Sequence, residues 1–302
     1  MDFKIVVDES LLNLGLLPKE CSGNTRILSA VNDFEDGSWR LEKFVNFIWD
    51  NIAQTALTEA ERSALRDQPQ SLLAAAARNL RLTDKDPIGE GSELAEVVLY
   101  GLMRHKYKAL PVVPKIFYKQ NSQDNAKGAD SVHISLKPDG DFSLWFGEAK
   151  FYNNIENARL GKIVNSVKNS LKTDKLKKEN AIIVNLHELD DLGVEKGVIE
   201  KIKTALGNKE SIDNIKNKIN IPILLLHECP LTGGVVELSD DYLEKVKVHH
   251  HERAQAYFER QAKALGDVFK HEEVSFHLIL FPVPQKEAVV NSFVSGVEFY
   301  KG

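Results

Sequence analysis

The amino-acid sequence predicts an α/β protein, a mixed sheet flanked by helices, with a mainly helical N-terminal region. Three observations carry that expectation. Between Ser92 and Leu186 the hydrophobic periodicity runs helix, strand, strand, strand, helix, strand. Two later apolar runs, Ile221–Leu226 and Val274–Phe281, have the composition of buried strands. Pro87, Gly89 and Gly91 interrupt the pattern within Thr83–Gly91. That break divides residues 1–86, an accessory or partner-docking region, from residues 87–302, the α/β domain with a C-terminal extension.

Each element has its own signal. Phe3–Val7 reads as a short strand. In Trp39–Thr55 the residues Leu41, Phe44, Val45, Ile48 and Ile52 recur at helical spacing. Thr58-Glu59-Ala60-Glu61 has the form of a capping box and should start another helix. Ser71–Leu82 is rich in Ala and Leu, both strong helix formers. Ser92–Lys106 is a helix striped by Leu94, Val98 and Leu102. Val112–Tyr118, Ser131–Lys137 and Phe142–Phe151 read as strands. Ile155–Lys178 reads as one helix with Leu160, Ile163, Val164, Val167 and Leu171 on one face, and Ala181–Leu186 as a short buried strand. Ser239–Leu265 opens with a Ser-Asp-Asp start signal, and Gln285–Tyr300 is also helical.

Composition narrows the function classes. Apolar residues at 43% and charged residues at 27% are ordinary for a soluble globular chain of 302 residues. No apolar run reaches membrane-spanning length, and the start MDFKIVVDES carries acid where a signal peptide would be basic, so a cytoplasmic protein is expected. Cys21 and Cys229 stand far apart, which is no disulfide framework. A formal charge of −5 argues against tight autonomous nucleic-acid binding, so any such contact is local or helped by a partner. The chain lacks a GxxxxGK[ST] phosphate loop and is not expected to bind nucleotide or hydrolyse ATP.

The strongest chemical signal lies at the end of one strand. A three-residue loop, Pro138-Asp139-Gly140, opposes Leu136 to Phe142, Ile134 to Leu144 and Val132 to Phe146, matching apolar to apolar. A two-residue turn would match one strand's apolar set to the other's polar or small set. In the favoured register Asp130 faces Glu148, with Cβ atoms about 4.5–5.5 Å apart. Two bare carboxylates that close repel unless a cation lies between them. Lys150 projects to the same face as Glu148. Two acids and a lysine at a sheet edge suit Mg²⁺ or Mn²⁺, which take oxygen ligands.

Glu96, Asp130 and Glu148-Ala149-Lys150 resemble the E…D…ExK signature of the PD-(D/E)xK nuclease superfamily. The resemblance spans about Pro87–Leu186 and implies the superfamily's αβββαβ core. It departs from that pattern at Ala129, where the Pro of the superfamily name would stand. Glu96-Val-Val-Leu-Tyr100, Lys127-Gly-Ala-Asp130 and Leu144–Tyr152 further resemble the HamA family, nuclease subunits of the Hachiman anti-phage defence system. The resemblance implies that Asp130, Glu148 and the Ala149 carbonyl bind the metal and that Lys150 orients or polarises the attacking water. Glu96 would complete the site from its helix; Glu93 shares its helix face and competes for that role. It also implies a superfamily 2 DNA helicase partner (HamB-like) and DNA as substrate. A catalytically inactive module gripping DNA or the helicase is the alternative, and a sequence-specific restriction-type endonuclease a weaker one.

Other signals are secondary. Lys162, Lys168, Lys172 and Lys175, with Lys177 and Lys178, follow the motif and could contact phosphates, or form an ordinary solvated face. His249-His250-His251 suggests a metal, but neighbours on a helix point apart and no cysteine is close in sequence, so zinc is not expected. His227-Glu228-Cys229 reads as a strand end.

Overall fold

The computed structural model describes residues 3–11, 24–80, 92–119, 128–185, 194–207 and 209–302. Its strands are β1 (Lys4–Ser10), β2 (Thr25–Val31), β3 (Phe34–Glu35), β4 (Ser38–Trp39), β5 (Leu110–Val113), β6 (Ser131–Leu136), β7 (Phe142–Tyr152), β8 (Ile219–Glu228) and β9 (Ser275–Val283). Its helices are α1 (Leu41–Ala56), α2 (Glu59–Ala64), α3 (Pro69–Arg78), α4 (Ser92–His105), α5 (Lys115–Lys119), α6 (Asn157–Ser170), α7 (Thr173–Asn185), α8 (Lys196–Ala205), α9 (Pro230–Gly233), α10 (Asp240–Leu265) and α11 (Lys286–Lys301).

A seven-stranded mixed sheet runs β1-β2-β9-β8-β7-β6-β5. β2, β9, β8 and β7 pair in parallel, and antiparallel pairs close both sides. The central strands β8 and β9 are apolar on both faces because helices cover both. On the first face Leu224, Leu226, Ile279 and Phe281 pack with α1, α3, α4 and α11. On the second, Ile223, Leu225, Leu278 and Leu280 pack with α6, α7, α8 and α10. α4 is buried nearly all round, held between the sheet and α1.

The hairpin has the expected register: Leu136 pairs Phe142, Ile134 pairs Leu144 and Val132 pairs Phe146. Gly140 donates to the Lys137 carbonyl at 3.0 Å and has φ +75°, the left-handed conformation that glycine adopts without a Cβ penalty. Thr58 and Glu61 form the expected capping box at α2. Ser239 caps α10 by accepting from the Tyr242 N–H.

Three expectations need correction. Val112–Tyr118 is not one strand: Pro114, which has no N–H for the ladder, ends β5, and α5 follows. Ile155–Lys178 is two helices, broken between Ser170 and Thr173. Ala181–Asn185 ends α7 rather than forming a strand, and Leu186 lies outside the described residues. The buried positions of α7 are Leu176, Glu179, Asn180 and Ile183, a helical repeat that two polar members conceal. The strand after the helical layer is therefore β8, and β2 was not anticipated at all. The boundary expected in Thr83–Gly91 lies outside the described residues. Pairing in the sheet crosses it, since β1 and β2 continue the same sheet as β5–β9.

Candidate active site

Asp130 lies one step beyond the last ladder pair of the hairpin, Ser131 with Gly147, and its N–H donates to the Gly147 carbonyl at 2.7 Å. That brings it across from Glu148. One Asp130 oxygen, Oδ2, accepts from the Ala149 N–H at 3.0 Å, which turns the carboxylate toward β7. Glu148 and Lys150 alternate with Ala149, so both project to the second face.

Lys150 Nζ joins the cluster. It lies 2.8 Å from Glu148 Oε1, 3.3 Å from Asp130 Oδ2 and 3.0 Å from the Ala149 carbonyl oxygen. Ser166 of α6 donates to the same Glu148 oxygen at 2.6 Å. Glu148 is 7% exposed. Burial pushes its pKa up, and the Asp130 charge pushes the same way; Lys150 and Ser166 only partly offset them. Burial disfavours charge on Lys150 as well, but Asp130 and Glu148 together outweigh it and hold that pKa above the usual lysine value. The lysine is therefore cationic. Tyr257 of α10, fully buried, has its phenol held neutral by burial, reinforced by the Glu148 charge.

A second buried pair supports the approach to Asp130. Lys115 Nζ reaches both oxygens of Glu179, at 3.0 and 2.7 Å, and Glu179 Oε1 accepts from the Ala129 N–H at 2.9 Å. Lys115 and Glu179 are 2% and 4% exposed. The clamp fixes the residue before Asp130. Glu148, Ser166, Lys175 and Glu179 line one cavity of about 150 Å³.

The remaining expected residues are spread more widely. Glu96 is buried and Glu93 half-buried on α4, which covers the first face, so an acid from that helix would join from the far side of the sheet. Lys162 and Lys172 are exposed, and Lys175 lines the cavity beside Glu148. Lys168 is paired with Asp267 at 2.8 Å, an acid nearly 100 residues away that local sequence did not reveal. Ser166, Glu179, Lys115 and Tyr257 were also missed. Each comes from a different element, and no local spacing marks any of them.

The fold and this site define a mixed α/β protein whose sheet carries an acid–acid–lysine cluster at a strand end. A family model for HamA matches residues 5–297, and the chain belongs to the HamA family. That membership points to a protein associated with Hachiman defence. No curated protein matches the chain. Among the described residues no helix is long and apolar enough to cross a membrane.

Proposed function

We propose that this protein is a metal-dependent DNA nuclease with a PD-(D/E)xK core, hydrolysing phosphodiester bonds as the effector of a Hachiman complex with a superfamily 2 DNA helicase. One observation carries the reading: oxygens of Asp130, Glu148 and the Ala149 carbonyl all meet a single cation, the Lys150 ammonium. Three hard oxygen donors converging where positive charge is favoured fit Mg²⁺ or Mn²⁺. Asp130, Glu148 and the Ala149 carbonyl would hold the ion; Glu96, which the resemblance adds to the set, stands on α4 across the sheet from them. When bound, such an ion lowers the pKa of water and offsets charge on a phosphoryl oxygen.

The chain's own groups do the rest. Ser166 fixes the Glu148 oxygen, and the Ala149 N–H fixes Asp130. Lys150 supplies a fixed positive charge that orients the attacking water and steadies the transition state in a partly buried setting. Lys162, Lys172 and Lys175 would receive the DNA backbone. Residues 1–86 would dock the helicase, which supplies the motor that this chain's sequence lacks.

The test is cleavage of plasmid and linear duplex DNA, with and without Mg²⁺, by the chain alone and with its helicase. Mg²⁺-dependent cutting that Asp130→Ala or Glu148→Ala abolishes is the expected result. No cutting in any arm, with DNA still bound by the complex, would favour the inactive binding module.

A further inference from the structure

Away from Asp130 and Glu148, a second set of ligand-type side chains converges where β8 ends. His227 and Cys229 stand two residues apart in extended backbone, so both project to the second face. α10 crosses that face and presents His249 to them. One ligand atom from each of His227, Cys229 and His249 lies within 4.8 Å of the other two. His227 and Cys229 are buried, His249 is half-buried, and Cys229 is a free thiol.

His227 is arranged as a metal ligand. Its Nδ1 lies 3.1 Å from the Leu225 carbonyl, so Nδ1 carries the proton and Nε2 keeps the lone pair. Metal-bound histidines are commonly fixed by such a bond through the other nitrogen. Nε2 itself is buried with no hydrogen-bond partner, on a residue only 1% exposed. Buried polar atoms without partners are rare and call for an explanation. The neighbouring His250 ring packs 5.3 Å from that of His227 and is anchored through Nδ1 to Ser29 Oγ at 2.6 Å.

We infer that His227, Cys229 and His249 form a zinc site separate from the carboxylate cluster. Two imidazoles and a thiolate suit zinc and are a poor match for magnesium. With Zn–N bonds of about 2.0–2.1 Å and Zn–S of about 2.3 Å, tetrahedral ligand atoms stand roughly 3.3–3.6 Å apart. The ligand atoms, within 4.8 Å of one another, would therefore close by at most about 1.2–1.5 Å on binding. Cys229 releases its thiol proton to solvent as the Zn–S bond forms. Water takes the fourth position. The ion would tie the end of β8 and the turn α9 to α10, joining elements that sequence separates by about 20 residues.

The test uses the full chain, stripped with chelator and titrated with Zn²⁺ alone, with bound metal measured after dialysis. A Co²⁺-loaded sample reports sulfur ligation through its charge-transfer absorption. The expected result is one tightly held equivalent of zinc, a sulfur-to-cobalt band and a raised melting temperature. Cys229→Ser and His249→Ala should each lose that equivalent, while the Asp130→Ala, Glu148→Ala double variant keeps it. His249 is only half-buried, so its variant remains informative if Cys229→Ser fails to fold. No zinc retained by the parent chain, a cobalt complex lacking the sulfur band, or loss of zinc in the double carboxylate variant would each overturn the assignment.

Discussion

Glu179 occupies the space that a side chain on Gly128 would need, and its carboxylate is held there by Lys115 and by the Ala129 N–H. A free glutamate would swing aside at little cost, but this one sits in a buried pair. Gly128 therefore does more than lead into Asp130. It lets an acid from α7 reach the backbone of the residue before the candidate ligand.

Removing Glu179 should be costly. Glu179→Ala leaves Lys115 buried without its carboxylate and the Ala129 N–H without its acceptor, an expected loss of about 3–5 kcal/mol. Gly128→Ala should cost about 1–3 kcal/mol by forcing the clamp apart. Urea unfolding of both variants checks this, and a change below roughly 0.5 kcal/mol in Glu179→Ala would show that the clamp does not hold the fold.

Ser166 should matter to activity more than to stability. Its hydroxyl contacts the Glu148 oxygen that also meets Lys150. Such supporting contacts are typically worth about 10–100-fold in metal affinity or activity. Ser166→Ala should lower Mn²⁺ affinity or the cleavage rate by that factor while the melting temperature stays near that of the parent. Calorimetry and a single-substrate rate assay read the two quantities separately.

Acid should weaken the fold through buried histidines. His133 is fully buried against Tyr100, and burial lowers its pKa from 6.5 to about 3; His277 is lowered to about 4 by burial, with Arg26 adding to the effect. Below pH 6.5 the unfolded chain binds protons that the folded chain refuses. Stability is thus complete above 6.5 and falls as pH drops toward 3–4, with each histidine steepening the loss by up to about 1.4 kcal/mol per pH unit. His133→Phe keeps a ring beside Tyr100 and removes one titrating group. Its acid-unfolding midpoint should move to lower pH, and an unmoved midpoint would contradict this.

The hairpin and its site were legible because their information is local. Alternation in Val132–Leu136 and Phe142–Phe146 admits one apolar match, and that match carries Asp130 to Glu148. Length hid α7, since Ala181–Val184 is too short a run to separate strand from helix and its helical partners Glu179 and Asn180 are polar. β2 was overlooked because it is buried along most of its length and shows little alternation. The Lys115–Glu179 pair spans 64 residues, and His249 meets His227 and Cys229 only because α10 folds back across the sheet. Such meetings are set by topology, and no local pattern carries them.

Lys150 gives the most direct test of the central claim. As a donor-only ammonium it cannot ligate a metal, so in the proposed mechanism its work would be to place charge beside the reacting group. Mn²⁺ affinity and the DNA cleavage rate should be measured for the parent and Lys150→Ala under identical conditions. The account predicts metal affinity equal to the parent's or slightly tighter, with cleavage slowed by about 10²–10³. A Lys150→Ala protein that cuts DNA at the parent's rate would contradict it.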